Sequence, residues 1–242
     1  MSTFKRHNLE EVLNAMKRNG LRVSTIIDVG IAYGTPGLYG TIDAVQYHLI
    51  EPLKEYLGTI QDLCKKYPAT YTLAAAGEQK GTLTFNVHPD MSGSSFLSES
   101  EGKHVDGTPR TVPVTTIDDE VRQHALKGPF LIKVDVQGFE LQVLNGAQKT
   151  LAQTEAIILE VSLFSFYQQS PLFADVIAYM AARGFAPYDI FGATYRPLDD
   201  ALGQIDIAFV KNTSQLRQSQ HFASQEQRKA MTLERMKHLN PR

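Results

Sequence analysis

The sequence predicts an α/β protein built on a mostly parallel sheet with helices on both faces. Three observations carry that prediction. The segments "STIIDVG", "VQYHLIEP", "FLIKVDVQG" and "AIILEVS" are apolar almost throughout, as strands buried on both faces are. Helix-patterned segments separate several of them, which is the signature of parallel crossovers. Four of the strands also close on an acid, namely Asp28, Glu51, Asp135 and Glu160, and open α/β sheets bind ligands beyond the carboxyl ends of their strands.

Taken in order, "HNLEEVLNAMKRNGL" places Leu9, Val12, Leu13 and Met16 on one helical face, with Asn8 and Glu11 at capping-box spacing and Gly20 as a stop. This is a helix packed on the sheet. Strands follow at "STIIDVG" and "VQYHLIEP". "TYTLAAAGEQKG" reads as a third strand, and the alternation in "TLTFNVH" as a separate one after the "EQKG" turn. Residues 88–111, rich in Ser, Gly and charge, read as a mobile loop and candidate lid. "FLIKVDVQG" is the most strand-like segment of the chain. "FELQVLNGAQKTLAQ" follows as a helix weakened by Gly146. After "AIILEVS", "SPLFADVIAYMAARGF" is a helix with Pro171 near its start and Gly184 at its stop. "YDIFGATYRPL" and "QIDIAFV" read as two final strands, which makes the sheet mixed. The tail could carry a helix over 224–239.

A chain of 242 residues with 43% hydrophobic side chains can bury the core of one large α/β domain. Its net charge of −2 offers no long-range field for nucleic acid. Basic character is confined to the last thirty residues, where six Lys/Arg face only Glu226 and Glu234. A single cysteine, Cys64, excludes an internal disulfide and a thiolate zinc cluster. With no apolar leader and no membrane-length stretch, the expectation is a soluble, cytoplasmic protein without membrane partners.

The segment "IIDVGIAYGTPGLYG" raises the question of a ligand. A dinucleotide loop requires G-x-G-x-x-G, but counting from Gly30 the second and third positions are Ala32 and Thr35. No G-K-[ST] follows, so a phosphate cradle of the Walker type is also absent. A ligand with a cationic centre and hydroxyls fits better. S-adenosylmethionine has both: Asp28 and the backbone around Gly30 could meet its amino acid moiety, and Glu51 could accept from its ribose. The alternative is a strand end whose Asp caps the following turn, with glycines that serve only the backbone.

The runs "TIIDVGIAYGTPG", "LIEP", "TLAAAGEQKGTLTF", "VPVTTIDDE", "FLIKVDVQGFELQVLNGAQKTL" and "AIILEVS" together resemble the FkbM-type S-adenosylmethionine-dependent methyltransferases. The likeness extends over roughly residues 20–185, and "KVDVQGFELQVLNGA" is its most specific part. It implies a Rossmann-like class I methyltransferase fold, a seven-stranded sheet with the last strand antiparallel, and methyl transfer usually to oxygen. Carried over, Asp28, Gly30 and Gly34 match the first motif and Glu51 the ribose-binding acid. Asp135 matches the acid near the methyl group, and Glu140 the acid opening the next helix. Two positions depart from the family: Ala32 stands where Asn is frequent, and Gln137 where Glu is usual.

On this reading residues 1–22 are a helical extension, 23–212 the methyltransferase domain, and 213–242 a basic tail that could support a homo-oligomer. The expected function is O-methylation of a hydroxyl on a small molecule or sugar. Asp135 is the candidate base, Lys133 holds its charge, and Glu140 is a further catalytic candidate. Glu160 and Ser162 could line the acceptor pocket, with Tyr33, Tyr39 and Phe96 as walls. A nicotinamide-dependent oxidoreductase and a cofactor-binding protein without turnover stand as alternatives. His48, inside an apolar strand, reads as a satisfied core residue. His88 and His104, with Asp90 and Asp106, permit a metal, but no pair among them has i,i+4 spacing, and no metal is expected.

Overall fold

The computed structural model describes residues 5–43, 45–91 and 93–239. Residues 1–4 of the N-terminal extension, Ser92 of the polar loop and residues 240–242 of the tail lie outside them.

The N-terminal helix α1 (Leu9–Arg18) forms where its apolar spacing places it, and Asn8 caps it by accepting from the Glu11 N–H at 3.0 Å. Its face of Val12, Leu13 and Met16 is fully buried. Each such side chain contributes roughly 1.5–3 kcal/mol of burial. The strands β1 (Thr25–Val29) and β2 (Gln46–Ile50) follow, then α2 (Leu57–Lys66) and β3 (Ala69–Thr72). A short β4 (Ala75–Ala76), β5 (Gly81–Val87) and β6 (Thr108–Thr115) lead into α3 (Ile117–Gln123). The second half contains β7 (Phe130–Val134), α4 (Glu140–Asn145), α5 (Gln148–Leu151), β8 (Thr154–Ser162), α6 (Phe173–Ala182), β9 (Phe185–Tyr195) and β10 (Leu202–Lys211). Gly146 divides α4 from α5.

The main sheet has seven strands in the order β3-β2-β1-β7-β8-β10-β9. The pairs from β3 to β8 are parallel, and β10 runs against both β8 and β9. This is the mostly parallel sheet with an antiparallel last strand that the sequence predicts. Strand alternation sorts the core into two layers. Ile27, Val29, Ile132 and Val134 pack with Ile117, Val143 and Val176 on one face. Ile26, Leu49, Leu131 and Ile158 pack with α1 and Ile60 of α2 on the other. The order reverses between β1 and β7, and that switch point positions the site.

Two elements differ from the sequence reading. "TYTLAAAGEQKG" is not one strand, because the chain leaves the main sheet after Thr72 and β4 joins a separate three-stranded sheet of order β4-β6-β5. The apolar run conceals this bend, since both sheets need buried residues there. The polar stretch 88–111 gives up its last four residues to β6, where Thr108–Thr111 pair with β5. The remainder of that loop is tied down, with Ser95 bridged to Asn86 and Glu99 to Tyr167. The tail helix α7 (Gln225–Leu239) is present, with Leu233 and Met236 exposed. No helix among the described residues is long and apolar enough to cross a membrane.

Candidate active site

The parallel register brings the residues at the ends of β2, β1 and β7 level with Glu160, which lies two residues before the end of β8. Val29 pairs with Ile50 and with Val134, and Val134 pairs with Leu159, so Glu51, Gly30, Asp135 and Glu160 follow one another across four strands. Backbone bonds continue past the strands: Gly30 N–H donates to Ile50 O at 2.9 Å and Asp135 N–H to Val29 O at 3.1 Å. Above these ends lies a cavity of about 200 Å3. Gly30, Glu51, Asp135 and Gln137 form its polar floor, and Leu53, Tyr56, Phe85 and Phe96 are among its apolar walls. Those walls are built by the small sheet and its own core, in which Leu53, Tyr56, Ala75 and Phe85 pack with Val112 and Val114.

Gly30 is required by its surroundings. Its φ is +78°, and a Cβ there would stand 1.9 Å from the Asp135 carbonyl oxygen. Beyond it, Ala32 has a φ of 44°, left-handed backbone that Asn and Gly adopt more readily than Ala. The turn is held by Glu51, whose Oε2 accepts from Ala32 N–H at 3.1 Å and Oε1 from Leu53 N–H at 2.9 Å. Each oxygen keeps a lone pair for a ligand hydroxyl.

Asp28 and Gly34 lie elsewhere. Asp28 shares a face of β1 with Ile26, so its side chain points into the layer under α1 and α2. There it is fully buried and accepts from Thr35 Oγ1 at 2.8 Å and from the Tyr39 hydroxyl. It braces the glycine loop from beneath and is not among the residues lining the cavity. Gly34 is placed near Leu63, Tyr39 and Thr59, on the far side of the same loop.

Asp135 occupies the centre. Lys133 Nζ donates to its Oδ2 at 2.9 Å, and Gln137 Nε2 donates to its Oδ1 at 3.0 Å. The same Gln137 amide reaches Glu160 Oε2 at 3.0 Å, which also accepts from Gln204 at 2.8 Å. Tyr167 completes the set by donating to Gln137 Oε1 at 3.3 Å. Gln137 therefore bridges two carboxylates, and it does so from a left-handed φ of 55°, the kind of backbone strain that collects at functional sites. Glu140 is buried behind this loop, where its Oε1 accepts from Val136 N–H at 3.2 Å and Gly138 N–H at 3.1 Å. It holds the loop and is not among the cavity residues.

The electrostatics follow from burying many acids beside one cation. Burial opposes the Lys133 charge, but Asp135 and Asp206 outweigh it and hold the ammonium above the usual lysine range. Desolvation pushes Glu51 and Glu140 up to about 7, against the backbone N–H groups that pull them down. Desolvation and the Asp135 charge push Glu160 to about 8. These folded values exceed the unfolded one of 4.5, so the stability they contribute is complete below that pH and is lost as pH rises through 7 to 8. His48, lowered by burial, works in the opposite sense. The melting temperature of the ligand-free protein is expected to fall between pH 5.5 and 8.5. Glu51 alone accounts for about 2 kcal/mol of that change. Glu51→Gln should flatten the profile in scanning calorimetry, whereas a profile that rises across this range would contradict the assignment.

Among the residues anticipated as walls, Phe96 lines the cavity, and Tyr39 is committed to Asp28. Tyr33 is largely exposed with its ring edge-on to Tyr56. His88 pairs with Asp90 at 2.9 Å, and Asp106 accepts from Glu99 N–H. Sequence reasoning missed Phe85, Tyr56 and Gln204. For Phe85 a signal was present: in "TLTFNVH" it alternates with Val87 toward the interior.

The family model described as the methyltransferase FkbM domain matches residues 34–187. No curated protein matches the chain. Similar solved structures include the magnesium protoporphyrin IX methyltransferase ChlM of Synechocystis PCC 6803 with bound S-adenosylmethionine, at 11% identity, covering 84% of this chain and 79% of that one, with a TM-score of 0.45. They also include the N-methyltransferase NodS of Bradyrhizobium japonicum, at 10% identity, 83% and 94% coverage and a TM-score of 0.46. An rRNA methylase of Streptococcus thermophilus gives 10% identity, 86% and 99% coverage and 0.47. With the match spanning more than half its length, the chain belongs to the FkbM methyltransferase family and is an S-adenosylmethionine-dependent methyltransferase.

Proposed function

We propose that this enzyme methylates a hydroxyl group of a small molecule or sugar. The observation that supports the reading most is the placement of Asp135 at the cavity floor, with Lys133 and Gln137 fixing its two oxygens and Glu160 one strand away.

The residues present fit the family's cofactor. The Gly30 backbone approaches the Asp135 carbonyl too closely for any side chain, leaving the strand end open to a ligand. Glu51 offers two carboxylate oxygens at the end of β2, suited to a ribose diol, and the apolar walls Leu53, Tyr56 and Phe85 suit an adenine ring. When bound, S-adenosylmethionine supplies a sulfonium methyl group open to in-line attack. The protein then has to aim the acceptor oxygen and take its proton. Asp135 is the proton acceptor in this account, and Lys133 fixes one of its oxygens. Gln137, held by Tyr167, sets the orientation of Asp135 and couples it to Glu160. Among the described residues no Lys or Arg lines the cavity, which favours a compact, uncharged acceptor over a polyphosphate backbone.

Asp135→Asn tests the role. With an acceptor found by screening hydroxylated compounds for S-adenosylhomocysteine release, the variant should lose about 100-fold or more in kcat, within the usual range for a general base. Its cofactor affinity should change by less than about threefold. Unchanged turnover would remove Asp135 as the base and leave the proton to solvent.

A further inference from the structure

A second cluster of chemistry-bearing side chains lies outside the cavity, between α3 and the β2–β3 edge of the main sheet. Glu120 and His124 stand at i,i+4 on α3 and its C-cap, which puts them on one helical face, and His48 reaches them from β2. Both imidazoles present Nε2 to the same oxygen: His48 Nε2 is 3.2 Å and His124 Nε2 3.3 Å from Glu120 Oε2. The three potential ligand atoms lie within 4.8 Å of one another. Ligands bound to one tetrahedral zinc at 2.0–2.1 Å are separated by about 3.3 Å, so the two nitrogen–oxygen edges already match.

We infer that His48, Glu120 and His124 form a binding site for a zinc-like divalent cation. Two imidazoles and one carboxylate are a donor set that zinc accepts, leaving a fourth position for a water or for Thr72 Oγ1, which is 2.6 Å from the same Glu120 oxygen. The surroundings resemble those of a metal ligand shell. His48 Nδ1 is 2.8 Å from Thr70 Oγ1, a partner that fixes the ring and directs Nε2 inward. The second Glu120 oxygen accepts from Thr115 Oγ1, which orients the carboxylate. Glu120 is 2% exposed, and its hydrogen-bond partners among the described residues are hydroxyls and imidazoles rather than Lys or Arg. A buried carboxylate so placed favours a cation. The His124 side chain, at 22% exposed, provides the way in. A bound ion would clamp α3 to β2, three residues before Glu51.

The test uses the full chain stripped with a chelator and titrated with Zn2+ against a chromophoric competitor, then with Co2+ followed by visible absorption. One zinc per chain and the intense visible bands of four-coordinate cobalt are expected. Affinity should fall about 100-fold in His124→Gln and in His48→Gln, and stay within twofold of wild type in His88→Gln, which alters the exposed His88–Asp90 pair. If His48→Gln does not fold, the partly exposed His124 decides the matter. Absence of stoichiometric zinc binding, or binding undiminished in His124→Gln, would overturn the site.

Discussion

Gly30→Ala is expected to destabilise the protein by about 3 kcal/mol or more, because two independent costs fall on one methyl group. The first is conformational: at a φ of +78° an alanine sits in left-handed backbone, costing roughly 1–2 kcal/mol. The second is steric. The added carbon would lie 1.9 Å from the carbonyl oxygen of Asp135, so the ends of β1 and β7 must separate and the Asp135 N–H to Val29 O bond must stretch. Gly184→Ala is the control, since Gly184 has a similar φ of +79° but nothing within 4 Å of the new carbon. It should show the conformational cost alone. At roughly 2–4 °C per kcal/mol for a chain of this size, the two variants should differ in Tm by several degrees. Equal losses would mean that the loop yields freely, and the close approach of Gly30 to Asp135 would lose its significance. Cofactor binding should also be abolished in Gly30→Ala, because the ends of β1 and β7 that form the cavity floor move apart.

Glu51→Ala should weaken S-adenosylmethionine binding by about 100-fold. That is the magnitude of losing hydrogen bonds to a charged acceptor, worth roughly 1.5–3 kcal/mol each, where 1.4 kcal/mol is tenfold. The variant also removes the partner of the Ala32 and Leu53 N–H groups, so the glycine loop loses a brace. Glu51→Gln separates these effects. Its amide presents one acceptor oxygen and one donor where the structure needs two acceptors, so binding should be intermediate. Circular dichroism establishes whether each variant is folded before its affinity is interpreted. An alanine variant that is folded and binds as tightly as wild type would exclude Glu51 from the cofactor site.

Much of this arrangement can be read in the sequence. Apolar strands ending in Glu51, Asp135 and Glu160 announce a parallel sheet with acids along one edge, and the register then aligns them without further information. Asp28 shows the limit. The motif gives its position, but strand alternation decides which face its side chain takes, and partners seven and eleven residues later, Thr35 and Tyr39, claim its carboxylate. The split between β3 and β4 was hidden because apolar residues serve both sheets equally well. Ala32 and Gln137 were visible as departures from the family, yet their shared left-handed backbone and the carboxylate-bridging amide of Gln137 depend on tertiary contacts. Glu120 and His124 stand four apart in "DDEVRQHAL", but only folding brings His48 to them, 72 residues before Glu120.

The cavity above β1, β2 and β7 is the proposed S-adenosylmethionine site. Calorimetric titration of the purified protein, after verifying that no cofactor copurified and with NADH in a parallel run, tests it most directly. Saturable binding of S-adenosylmethionine at one site per chain, with no saturable heat from NADH, is expected. Binding of NADH, with none of S-adenosylmethionine in verified cofactor-free protein, would contradict it.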